Sequence, residues 1–203
     1  MSAPASTSKD RPIADGIDTR ILDAARTQFE EIGVKKTTIG DIARRASVDR
    51  ATIYRRIGSR DDLVRAVTAR EVGDLLAELQ SIPARHEDLG AVVADLFVTV
   101  ITRWRTHRLV NRVMTLEPGR LLPQITTEGG AFFTMAITTT TALLDTALRQ
   151  RRLPEIADLT TRVEIAARLV HSLILQPAGT LDLDSETQLA AFARTRIVPL
   201  VLG

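Results

Sequence analysis

The chain contains no cysteine, which excludes a disulfide framework, a thiolate zinc site and a cysteine nucleophile. Aromatic residues are scarce, at 3% of 203 positions with one Trp and one Tyr. Lysine is nearly missing as well: Lys9, Lys35 and Lys36 are the whole supply, and arginine carries the remaining positive charge. Neither sign of charge dominates, because 27 Lys and Arg stand against 25 Asp and Glu, a formal net charge of +2. Purely apolar runs are only a few residues long, whereas a bilayer span takes roughly 20. The opening MSAPASTSKDRP lacks the apolar core of a signal peptide, so a cytoplasmic chain with no membrane partner is expected. His86, His107 and His171 are too dispersed for metal-ligand spacing, and neither a metal nor a cofactor is expected. The pattern holds no nucleophile–base–orienter set, no Gly-rich phosphate loop and no H-E-x-x-H, which argues against an enzyme.

What is present is helical periodicity. Apolar residues make up 44% and charged residues 26%, an ordinary globular balance. Residues 1–15 are rich in Ser, Ala, Pro and mixed charge and read as a disordered arm. Ile21, Ala24, Ala25, Phe29 and Ile32 then share one helix face, which Gly33 ends. Thr38 and Asp41 have capping-box spacing ahead of Ile42, Ala43 and Ala46. Asp49 caps a short piece from Arg50 to Ile57, closed by Gly58, and Ser59-Arg60-Asp61-Asp62 opens a long helix. Helical spacing continues after Pro83 from Leu89 to about Arg108. It returns over 126–152, from Asp158 to Gln176, and from Ser185 to Leu202. No stretch alternates with period two for long enough to make a strand. The expected fold is all-α: a three-helix head at 16–65 and a helical bundle at 66–203.

Charge position separates these two parts. Lys35 to Arg60 holds eight cations against Asp41 and Asp49, a local charge of +6, so the rest of the chain sums to −4. A charge run alone is commonly a solvated face. Here the spacing adds a second argument. Two short helices separated by Ala46-Ser47-Val48-Asp49 make a helix-turn-helix, whose second helix fits a major groove about 12 Å wide. Ile42, Ala43, Val48, Ile53 and Ile57 would face inward onto Phe29 and Ile32. Arg50, Ala51, Thr52, Tyr54, Arg55 and Arg56 would face outward.

Phe29, Gly33, Thr37-Thr38, Asp41-Ile42-Ala43, Ala46, Val48, Thr52-Ile53-Tyr54 and Ser59-Arg60-Asp61-Asp62-Leu63 resemble the N-terminal domain of TetR-family transcriptional regulators. The resemblance covers about residues 17–65, and a looser one covers Leu189 to Leu202. Two positions depart from it: Ser47 stands where Gly is usual in the turn, and Ile57 where an aromatic is usual. The resemblance implies a homodimer that binds a palindromic DNA operator and releases it when a small molecule occupies the bundle. It implies that Thr38, Thr52, Tyr54, Arg56 and Arg60 hold phosphates. Arg50, Ala51 and Tyr54 would face base edges, and Gly40 would let the first turn of its helix approach the DNA backbone. Arg50 can fork onto a guanine and Ala51 can pack a thymine methyl.

The bundle is less legible. Val163, Ala166, Ala167 and Val170 form one stripe, which Leu169, Leu173, Ile174 and Leu175 broaden. The resemblance implies that the last two helices pair between subunits, through Val163, Val170, Ile174 and Phe192. Two heads would then stand about 34–36 Å apart, one turn of DNA, or a multiple of it. Phe97, Trp104, Met114, Phe132, Phe133, Met135 and Thr138 are candidates for a pocket that takes a hydrophobic or amphiphilic effector, although each also suits a core. The run Thr138-Thr139-Thr140-Thr141 reads either as hydroxyls bonded back to the preceding turn or as a hydroxyl-lined cavity wall. Three functions remain open: an effector-released repressor, a DNA-binding regulator or activator without an effector, and an all-α enzyme or partner-binding module with an incidental helix-turn-helix.

Overall fold

A computed structural model describes residues 11–203, apart from the side chains of residues 11–15 and 124. Helices account for the regular structure among the described residues: α1 (Arg11–Ile32), α2 (Ile39–Ala46), α3 (Arg50–Arg56), α4 (Arg60–Ser81), α5 (Leu89–Thr106), α6 (Arg108–Leu116), α7 (Pro118–Ile125), α8 (Gly130–Gln150), α9 (Leu159–Leu175), α10 (Glu186–Phe192) and α11 (Val198–Leu202). α1 begins at Arg11, inside the segment expected as an arm, and the remainder of that arm, residues 1–10, lies outside the described residues. Pro12 suits this start, because its missing N–H falls in the first turn, where no intrahelical partner exists.

Residues 11–73 form one compact unit with 112–118, so the unit is larger than the expected head and is not contiguous. Its core is small. Ile21, Ala25, Phe29, Ile42, Ile53, Leu63 and Val67 are all buried, with contributions from each of the first four helices. Ile32, expected on the inner face, is exposed. It is the last residue of α1, and Gly33 then turns the chain at φ +88°. Val34, two residues on, is buried instead. A hydrophobe just beyond a left-handed glycine commonly folds back onto the helix end. The short segment 112–118 braces this same turn. Leu116 lies against Gly33, Glu117 Oε1 accepts from the Lys35 N–H at 2.7 Å, and the Arg112 guanidinium donates to the Glu31 carbonyl.

Residues 74–111 and 119–203 form the second unit. Its core is built on α5, where Val92, Val93, Leu96, Phe97 and Ile101 are buried together with Leu144 and Leu148 of α8, Val163 of α9 and Leu189 of α10. The expected final helix is interrupted: a π-helical turn, Ala193–Ile197, separates α10 from α11. Pro199 supplies the reason. Its ring has no N–H and would collide with the Thr195 carbonyl of a regular helix, and the wider turn relieves that contact. Arg151 holds the end of α8 to the 3-10 turn Ile82–Arg85 and the residues after it, donating to the carbonyls of Pro83 (2.8 Å), His86 (2.6 Å) and Glu87 (2.9 Å). Despite its threonines, α8 has the length and apolar composition that a membrane-crossing helix needs. It therefore stands apart from the short apolar runs on which the sequence expectation rested.

Candidate nucleic-acid interface

Capping chemistry builds this surface. The Thr38 hydroxyl donates to Asp41 Oδ2 (2.6 Å) and accepts from the Asp41 N–H (3.2 Å), while the same carboxylate takes the Thr38 N–H (3.1 Å). α2 therefore starts at one defined residue. Asp49 Oδ1 accepts the Thr52 N–H at 2.5 Å and starts α3, and the Ser59–Asp62 pair repeats the box for α4. These bonds favour the ionised acids. Asp41 is held below the ordinary carboxylate range chiefly by the Thr38 hydroxyl, Asp49 by the Thr52 N–H, and Asp62 by the Ser59 hydroxyl. Between α2 and α3, Ser47 takes the left-handed conformation at φ 54°, ψ 47°, where a side chain is strained.

α3 is seven residues long and two-sided. Ile53 is fully buried, while Arg50, Ala51, Tyr54 and Arg55 are exposed on the opposite side, with Tyr54 57% accessible. An exposed tyrosine flanked by guanidiniums and a methyl is the mix of donor, acceptor and small apolar group that reads a groove edge. Thr52 sits half-buried, its hydroxyl 3.4 Å from Arg55 Nη2.

The cations of this segment differ in how far they are engaged. Arg45 makes a bidentate pair with Glu31 at 2.6 and 2.7 Å, which ties α2 to α1 and raises the arginine's proton affinity further. Arg56 Nε lies 3.8 Å from Asp18, and Arg44 lies 3.3 Å from Asp41. Arg60, expected to hold phosphate, is half-buried and directed into the protein. Its Nε donates to the Thr37 carbonyl (3.0 Å) and its Nη2 to the Val34 carbonyl, so it serves the α1–α2 turn. Arg50 and the ammonium groups of Lys35 and Lys36 have no partner among the described residues. Gly40, expected to let α2 approach DNA, has its open side occupied by the Arg50 guanidinium.

The expected pocket residues do not converge. Phe97 is buried core against Phe192, with ring centroids 5.8 Å apart. Phe132 and Met135 are exposed, and Phe133 is held between Arg168 (5.3 Å to the ring centre) and His171 (5.8 Å). Met114 belongs to the first unit. Trp104 lines a recess of about 220 Å³ with Ile101, Arg105 and Ile174. Thr138 lines a larger open groove of about 960 Å³ with Gln80, Glu87, Thr139, Thr146 and Gln150. The Thr138 hydroxyl bonds back to the Thr134 carbonyl at 2.9 Å while Thr138 lines the groove, and the buried Thr141 hydroxyl has no hydrogen-bond partner among the described residues. Of the expected interface residues, Val163 is buried within its own unit, and Val170, Ile174 and Phe192 pack against the same core. The large apolar side chains of α9 left exposed are Ile165, Leu169 and Leu175; the stripe reading grouped Leu169 and Leu175 with the buried residues and did not include Ile165.

Residues 21–67 match the family model of bacterial regulatory proteins, tetR family. An uncharacterised HTH-type transcriptional regulator of Mycobacterium tuberculosis is 34% identical over 116 residues, 57% of this chain and 58% of that relative. The chain is thus matched over little more than half the length of that curated relative. Among solved structures, the TetR family repressor AlkX of Dietzia sp. strain DQ12-45-1b has the same fold, with TM-score 0.60 and 23% identity over 90% of this chain and 93% of AlkX. The regulator CifR, solved as a cysteine mutant on 26 bp operator DNA, is similar at TM-score 0.54 and 14% identity over 98% of each chain.

Proposed function

We propose that the chain, whose residues 21–67 match the family model of bacterial regulatory proteins, tetR family, is a DNA-binding transcriptional regulator that uses α3 as its recognition helix. One observation carries this reading: α3 buries Ile53 completely and leaves Arg50, Ala51, Tyr54 and Arg55 facing outward with no acidic residue among them. Base edges are read by such a row, and Lys35, Lys36 and Arg44 nearby supply the phosphate attraction that makes binding salt-dependent. Thr52, whose hydroxyl accepts from Arg55 Nη2, can donate its O–H to a phosphate, and Thr38 can do so by releasing the O–H it gives to Asp41 Oδ2. The test is selection of bound duplexes from a random library, followed by binding at several salt concentrations. An enriched half-site and a steep salt slope are expected. Recovery of random sequence with no salt dependence would overturn the reading.

We further read the regulator as a cytoplasmic homodimer on a palindromic operator, repressing by occupancy, in line with the similar fold of the repressor AlkX. The apolar face of Ile165, Leu169 and Leu175 on α9 supports pairing, because burying such a row against a second copy removes it from water. A small amphiphilic effector is assigned to the groove beside Thr138, whose lining mixes Ala84, Ala142 and Leu143 with hydroxyls and amides. It would act by differing in affinity for DNA-competent and DNA-incompetent states. The filled core around Phe97 favours the second reading, a regulator with no effector. Release of selected DNA by an amphiphile library separates the two.

A further inference from the structure

Gly40 is the most closely approached of the described helical glycines; at Gly90 a Cβ would lie 3.0 Å from Asp88 Oδ2 and 3.3 Å from Val198 Cγ1. Gly16, Gly73, Gly119 and Gly130 have nothing within 4 Å of where a Cβ would stand. At Gly40 that position lies 2.6 Å from Arg50 Nη2, 3.1 Å from Nε and 3.2 Å from Cζ, so the guanidinium rests across the bare Cα. The backbone does not require glycine here. Gly40 lies in the first turn of α2, outside the left-handed region, and alanine is the better helix former. Room, not conformation, is what the missing side chain provides.

The geometry points to Gly40 as a positioning residue for sequence readout: it is the seat that holds the Arg50 guanidinium in place for a DNA base. This inference rests on the proposed role of α3. The seat is one of contact alone, since Arg50 donates no hydrogen bond to any described residue and all five of its N–H groups stay available for an incoming acceptor. A long side chain that is already placed loses less freedom on binding than one that is loose. A Cβ at position 40 would displace the far end of Arg50 and leave both helices intact.

The experiment compares wild type, Gly40→Ala, Arg50→Ala and the double variant, all as the full chain. The first readout is half-site preference, by competition with single-base variants of the selected duplex. Gly40→Ala is expected to lower discrimination about tenfold at the same base position that Arg50→Ala relaxes. Added to Arg50→Ala, it is expected to change nothing further. The second readout is the side-chain ¹⁵Nε–H signal of Arg50 in the free protein, which should move and lose order in Gly40→Ala. The proposal is overturned if that signal and the base preference are both unchanged. It is equally overturned if Gly40→Ala weakens every sequence alike in both backgrounds, since Gly40 would then meet DNA itself. Should wild type select no sequence, the regulator reading falls, and the Nε signal by itself decides whether the seat exists.

Discussion

Two side chains in the first unit carry more structural weight than their residue types suggest. Arg60 satisfies the carbonyls of Val34 and Thr37, whose own turn is tightened by the buried Thr37 hydroxyl bonding to the Gly33 carbonyl at 2.7 Å. Arg60→Ala should therefore cost about 1–3 kcal/mol in urea unfolding, the penalty of leaving partly buried acceptors without donors. It should leave the salt slope of DNA binding unchanged, which separates a brace from a phosphate contact. Ser47 carries strain at φ 54°. Ser47→Gly should stabilise the unit by about 0.5–1 kcal/mol, the relief of left-handed strain less the extra freedom glycine brings to the unfolded chain. Thermal melts of the two proteins under identical conditions would check it. Both effects were half-visible beforehand: the turn residue is plain in the sequence, whereas the direction Arg60 takes depends on carbonyls 23 and 26 residues away.

The helices of the head owe their boundaries to three acids, which makes them sensitive to pH. Asp41, Asp49 and Asp62 are each depressed below the ordinary carboxylate value near 4, so the unfolded chain takes up protons before the folded one. Their contribution to stability is complete above about pH 4 and is lost as pH falls through the depressed folded values. Acid titration followed by circular dichroism and by the amide signals of α2 and α3 should show head helices melting in that window. Asp49→Asn keeps a good cap that does not titrate and should flatten the acid limb. The last helix teaches a different lesson. Its continuous apolar pattern gave no warning of the π turn at Ala193–Ile197, although Pro199 marks the place where regular bonding has to fail.

For the assembled protein, the exposed side of α9 is the testable feature. Leu169→Glu puts a charge in the middle of the face from Ile165 to Leu175 without touching the core lined by Val163. Light scattering should show the proposed dimer shifting to monomer, and binding to a two-half-site duplex should weaken about a hundredfold as two linked contacts become one. An unchanged mass would place the subunit contact elsewhere.

Helix ends, the turn between α2 and α3 and the clustering of cations could be read along the chain, because caps and turns are set by residues three or four apart. The outward row of α3 could be read in the same way, since a seven-residue helix with one buried isoleucine has a single outer face. Tertiary packing alone decided which arginines remain free, which apolar stripe of α9 stays uncovered, and that Phe97 fills core instead of lining a pocket. Each of those outcomes depends on groups brought together from dozens of residues apart, and side-chain type and period carry no information about such partners.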